Sequence, residues 1–191
     1  MRYLIKQLWP LVLLLIISIA VVIWAPADAW YRTPLRNYAL FSGYVIIVGT
    51  VLGFLGRFIP RRFRFDRFPF KPYAWERDGR FYRDKLHIDR WKDKLTDMSK
   101  ATAKVSSKAV GHSMDSATLL ASIQEMCVAE VVHIVLILLS PSMFLFMDRV
   151  YALVLDFCYI FMNLLDIAVM RYNRPRVVRL YERAVAKEAR S

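Results

Sequence analysis

Cys127-Val-Ala-Glu130-Val-Val-His133-Ile-Val-Leu-Ile-Leu-Leu139 is the stretch on which the reading of this chain turns. It is apolar except for Glu130 and His133. Residues three apart share one face of a helix. If this helix crosses a bilayer, both groups are costly there, and intramembrane ionisable groups mark functional sites by default.

Composition points to a membrane. Of 191 residues, 57% are hydrophobic, and the formal charge is +12. Mean hydropathy is +0.32. A soluble domain is nearer about 45–50% apolar. The apolar residues come in blocks, which argues against a nucleic-acid binder. Cys127 and Cys158 lie in apolar segments without metal-ligand spacing, so both read as buried thiols.

Four apolar segments predict four transmembrane helices, over 8–25, 38–58, 126–139 and 150–170. The first is also compatible with a cleaved signal peptide, because Ala27-Asp28-Ala29 resembles a cleavage site. The second carries Gly49-Thr-Val-Leu-Gly53, a small-residue pattern that permits close helix approach. The third stops at Ser140-Pro141, and the fourth carries Asp156, Asn163 and Asp166.

Charge orients the spans. Residues 57–118 hold 16 Lys and Arg against 8 Asp and Glu, and the tail 170–191 holds 7 against 2. The connections 26–37 and 140–149 carry only Arg32, Arg36 and Arg149 as basic residues. Basic segments belong in the cytoplasm. Both termini and the long loop are therefore expected inside. The strip 57–72 alternates Arg and Phe directly after a span, which suits anionic lipid headgroups. Nucleic acid also takes Arg and Phe, but this position favours lipid. Residues 73–118 read as a small cap with a turn at Asp78-Gly79, then a polar connection into a helix starting near Asp115.

Depth brings the polar groups to one level. Glu130 and His133 lie about 4 and 7 residues inside the third span, roughly 6–10 Å at 1.5 Å per residue. Asp166 and Asn163 lie equally far from the inner end of the fourth. In an acid/base site, His133 takes a proton from a hydroxyl while Glu130 or Asp166 orients its ring. Arg171 and Arg174 then hold an anionic donor. Other readings remain open: a metal held by Glu130, His133 and Asp166, a polar layer that fixes helix packing, or a transport path. There is no nucleophile elbow, P-loop or dinucleotide fingerprint. The His-x4-Asp acyltransferase pattern fails, since Lys92 stands where His87 would need Asp. His87 and His112 read as ordinary loop histidines.

Four motifs carry a resemblance: Trp75-Glu76-Arg-Asp-Gly79-Arg-Phe-Tyr82, Trp91-Lys92-Asp93-Lys94-Leu95, Glu125 with Glu130-Val-Val-His133, and Arg171-Tyr172-Asn173-Arg174-Pro175-Arg176. In these the chain resembles the small bacterial membrane acyltransferases typified by glycosyl-4,4'-diaponeurosporenoate acyltransferase. Thr96 replaces the usual proline after Lys-Leu. The resemblance implies esterification of a lipid-linked sugar hydroxyl with a fatty acyl chain. It carries over to Trp75, Glu76, Trp91, Lys92, Asp93, Glu130, His133, Asn173 and Arg174.

The expectation is thus an all-α polytopic membrane protein whose O-acyltransferase site lies at the inner leaflet. His133 is the expected base, Glu130 its partner, and Asp166 the third catalytic group. Trp75, Glu76, Trp91, Lys92, Asp93, Asn163, Arg171, Asn173 and Arg174 are expected around substrate, with Lys92 or Asn173 stabilising the oxyanion. No metal or cofactor is expected beyond an acyl donor as co-substrate. The expected partners are membrane lipids, anionic headgroups and a lipid-linked sugar. The alternative is a non-catalytic lipid-binding or assembly protein using the same residues.

Overall fold

The computed structural model describes residues 30–92 and 115–190, with Ile16, Ile19, Ala20, Ile23 and Trp24 of the first apolar segment. The rest of that segment, the Ala27-Asp28-Ala29 site, Asp93 and His112 lie outside the described residues, as does most of the connection 96–118. The described elements are helical throughout. They are α1 (Arg32–Leu55), a 3-10 turn (Ala74–Gly79), α2 (Arg80–Leu86), α3 (Ile88–Trp91), α4 (Ser116–Leu139) and α5 (Arg149–Glu188). Further 3-10 turns, Gly56–Phe58 and Ser140–Leu145, end α1 and α4.

Three helices, α1, α4 and α5, are long and apolar enough to cross a bilayer. They leave Ile47 (64%), Leu138 (72%) and Phe157 (71%) exposed, as a lipid-facing surface requires. The chain is an all-α membrane protein. Three of the four expected crossings fall on these helices, and the fourth lies largely outside the described residues.

The helices extend beyond the apolar segments. α4 begins at Ser116 because Leu119, Ile123 and Met126 bury against Val177. α5 continues through Pro175 to Glu188 instead of ending near Met170. Proline removes one backbone donor, the one that would have bonded the Arg171 carbonyl. Packing of Val177, Val178, Tyr181 and Ala184 sustains the helix beyond it. An added Cβ at Gly49 or Gly53 would meet nothing within 4 Å, so the small-residue pattern receives no close helix among the described residues.

The chain divides into two compact units. One comprises Met1–Arg57 with Ile134–Asn163, the other Phe58–His133 with Leu164–Ser191. In the first, Met143, Met147 and Ala152 form a core with Leu40, Phe41 and Tyr44. Its polar clasp closes on Asp148, which accepts from Arg36 at 2.7 Å and Asn37 at 2.5 Å. The Asn37 side-chain oxygen accepts in return from the Asp148 amide at 2.9 Å. Asn37, and then Arg36, hold the Asp148 carboxyl below its usual range. In the second unit, Tyr82 and Ile88 of the cap pack on Ala168, Val169 and Tyr172 of α5. That packing positions the site.

Candidate functional site

The site begins with a backbone turn. Arg77 (φ 49°), Asp78 (φ 52°) and Gly79 (φ 87°) are successive left-handed residues. Left-handed backbone costs a non-glycine residue about 1–2 kcal/mol, so surrounding contacts must hold the turn. Gly79 supplies the closest of these. A Cβ there would lie 3.0 Å from the Tyr172 carbonyl oxygen. The turn therefore rests directly on the backbone of α5, one residue from Arg171.

Glu76 enters from this turn and is 1% exposed. Its Oε1 accepts from the Tyr82 hydroxyl at 2.5 Å and from Arg171 Nη1 at 2.8 Å. Its Oε2 accepts from the Tyr73 amide at 2.8 Å. Burial, reinforced by the Glu76 carboxylate, pushes the Tyr82 phenol well above its usual range, so it remains a donor.

Arg171 reaches three elements at once. Its Nε donates to Glu130 Oε1 at 2.7 Å, and its Nη2 to the Pro69 carbonyl at 2.7 Å. The guanidinium lies 4.5 Å over the Tyr73 ring. Arg174 donates to Glu130 Oε2 at 2.5 Å and sits over Phe70. Its Nη1 also meets Cys127 Sγ at 3.6 Å. Two carboxylates and two guanidiniums are thus buried together with no net charge. Planar guanidinium suits this bridging because its donors are fixed in a fork. The group ties the 69–82 segment, α4 and α5 into one lock. Arg174 Nε is buried without a hydrogen-bond partner.

His133 lies three residues beyond Glu130 on α4, outside the lock. Its Nδ1 is 3.8 Å from Asp166 Oδ2 of α5. That is ion-pair range and too long for a direct hydrogen bond. The side chains are 12% and 36% exposed, so this pair is more open than the lock.

This placement corrects the sequence expectation in two respects. The carboxylate facing His133 is that of Asp166, while Glu130 is given to Arg171 and Arg174. The two arginines are engaged by protein carboxylates rather than presented to a donor. The reason is electrostatic. A buried guanidinium and a buried carboxylate each cost several kcal/mol alone, and pairing offsets that cost.

The remaining predicted residues are distributed. Trp75 is 53% exposed beside Tyr73, and Trp91 donates through Nε1 to the Leu86 carbonyl at 2.7 Å. Lys92 is half-buried after α3, and Asn173 is buried on α5. Asn163, three residues before Asp166 in α5, donates to the Tyr159 carbonyl at 2.8 Å. Tyr73, Tyr82, the Pro69 carbonyl and Gly79 also belong to the lock, beyond the residues expected from sequence. Gly79 and Tyr82 lie within the Trp75–Tyr82 motif; the Pro69 carbonyl leaves no trace in sequence.

A family model described as glycosyl-4,4'-diaponeurosporenoate acyltransferase matches residues 66–183. The match runs through Glu76, Glu130, His133, Asp166, Arg171 and Arg174. Two curated proteins of that name are similar. One, from Staphylococcus aureus (strain bovine RF122 / ET3-1), is 27% identical over 146 residues, covering 73% of this chain and 84% of the relative. The other, from Staphylococcus haemolyticus (strain JCSC1435), is 26% identical over 129 residues, covering 64% and 71%. No solved structure gives a significant match.

Proposed function

Because the chain belongs to the glycosyl-4,4'-diaponeurosporenoate acyltransferase family, we propose that it is a membrane-embedded O-acyltransferase. It esterifies a sugar hydroxyl of a glycosylated carotenoid or similar glycolipid with a fatty acyl chain, working at the inner leaflet. Both termini are assigned to the cytoplasm on the distribution of Lys and Arg.

The observation that carries the reading is the half-open pair of His133 and Asp166, 3.8 Å apart, beside a closed lock. His133 Nε2 removes the proton from the sugar hydroxyl as the oxygen attacks the acyl carbonyl. Asp166 faces Nδ1 and balances the imidazolium that forms. The tetrahedral intermediate collapses, the donor's leaving group departs, and the imidazolium returns the proton to it. The donor is an activated acyl ester or thioester. Lys92 and Asn173 are the candidates for oxyanion stabilisation. Arg171 and Arg174 are assigned to holding the cap on the helices.

The non-catalytic alternative draws on the same lock, which explains the buried charges without any reaction. Lipid mass spectrometry separates the two. A strain lacking the protein should accumulate a defined unacylated glycolipid, and His133→Ala should reproduce that phenotype with normal membrane insertion. Full acylation by His133→Ala would remove the catalytic assignment.

A further inference from the structure

The Arg and Phe strip of the cap has two faces. Phe63, Phe65 and Phe70 turn inward. Gln124 clasps the Phe63 backbone through both its amide and its carbonyl, at 2.8 and 3.0 Å. Phe63 meets Phe70 at 4.8 Å, and Phe65 meets Tyr181 at 6.1 Å. Phe68 points the other way and is 80% exposed. It begins a continuous run of rings: Phe68 to Tyr73 at 6.3 Å, Tyr73 to Trp75 at 6.2 Å, and Trp75 to Phe81 at 5.1 Å. Trp75 at its centre is 53% exposed.

Cations surround this patch in the sequence. Residues 57–85 hold ten Arg and Lys against four Asp and Glu. Arg64 and Arg83 are occupied by Asp66 and Asp84 at 3.1 and 2.8 Å. Arg67, Lys71, Arg77 and Arg80 are exposed. The chain leaves the crossing-length helix α1 at Leu55, thirteen residues before Phe68. Exposed apolar patches rimmed by polar residues mark interaction sites. Trp and Tyr concentrate at the headgroup level, and basic residues there meet anionic lipid.

We propose that exposed Phe68 and Trp75, backed by half-buried Tyr73 and Phe81, seat the cap on an anionic bilayer surface, with the two exposed rings among the headgroups and Arg67, Lys71 and Arg77 on lipid phosphate. The seat fixes the cap, and through Glu76 and Arg171 the lock beneath it, at one height. It holds whether or not the protein is an enzyme.

The test uses the full chain with Cys158→Ala, because Cys158 is exposed on α5 rather than buried as its apolar segment suggests, leaves buried Cys127, and places bimane on Phe68→Cys. The protein is reconstituted in phosphatidylcholine vesicles with and without phosphatidylglycerol, using acyl-brominated lipid as quencher. Bromine should quench the probe in anionic vesicles, and iodide in the buffer should not. Arg67→Glu with Lys71→Glu should reverse that pattern, since each surface charge is worth roughly fivefold in attraction. A probe open to iodide and untouched by brominated lipid in both vesicles overturns the proposal. So does a probe shielded only when an acidic acyl carrier protein is added.

Discussion

Replacing Glu130 by Leu distinguishes a structural carboxylate from a catalytic one. Glu130 accepts from Arg171 at 2.7 Å and Arg174 at 2.5 Å, and its side chain is 2% exposed. Removing it leaves Arg171 with Glu76, but leaves Arg174, 3% exposed, without a carboxylate. The Nε of Arg174 already lacks a partner. Stranding a buried charge costs about 3–5 kcal/mol. At about 2–4 °C per kcal/mol for a chain of this size, Tm in detergent should fall by about 6–20 °C. Glu130→Leu combined with Arg174→Met removes both charges and should recover most of the loss, as apolar replacement of buried pairs often does. The assay is thermal unfolding of the purified protein, followed by tryptophan emission. A single variant melting within about 2 °C of the parent, less than about 1 kcal/mol, would refute the lock. Failure of the double variant to recover would refute the pairing of Glu130 with Arg174.

Asp166→Asn should act the other way: Tm should stay within a few degrees while acyl transfer falls about 10²–10⁴-fold, the range of a general base's contribution. Equal turnover by Asp166→Asn would transfer the orienting role elsewhere. Gly79→Ala combines a left-handed φ of 87° with a contact of 3.0 Å to the Tyr172 carbonyl. It should destabilise the protein by about 1–3 kcal/mol, read in the same melting assay, and Gly79→Asn should be milder because Asn tolerates that backbone. Asp148 gives a pH prediction. Its folded carboxyl is held low by Asn37 and Arg36, so its contribution is present above the ordinary carboxylate value of about 3.9 and disappears as pH falls through the lower folded value. Tm profiles of the parent and Asp148→Asn should therefore converge at acid pH. Parallel profiles would remove the assignment.

Local sequence determined the fold class and which helices carry the polar groups. A segment's transfer energy depends on its own side chains, so blocks of apolar residues specify membrane helices without any knowledge of neighbours. The spacing of Glu130 and His133 likewise fixes that they share a side of α4. The i, i+3 rule says nothing about what stands opposite. Arg171 is 41 residues from Glu130 and 95 from Glu76 in sequence. Glu76 meets Arg171 only once the cap docks on α5 at Gly79, and the packing of α4 against α5 gave Glu130 to the arginines and Asp166 to His133. The length of α5 was also decided by packing: Pro175 signals a stop locally, yet Val177 and Tyr181 bury against other parts of the chain, and that burial outweighs one missing backbone hydrogen bond.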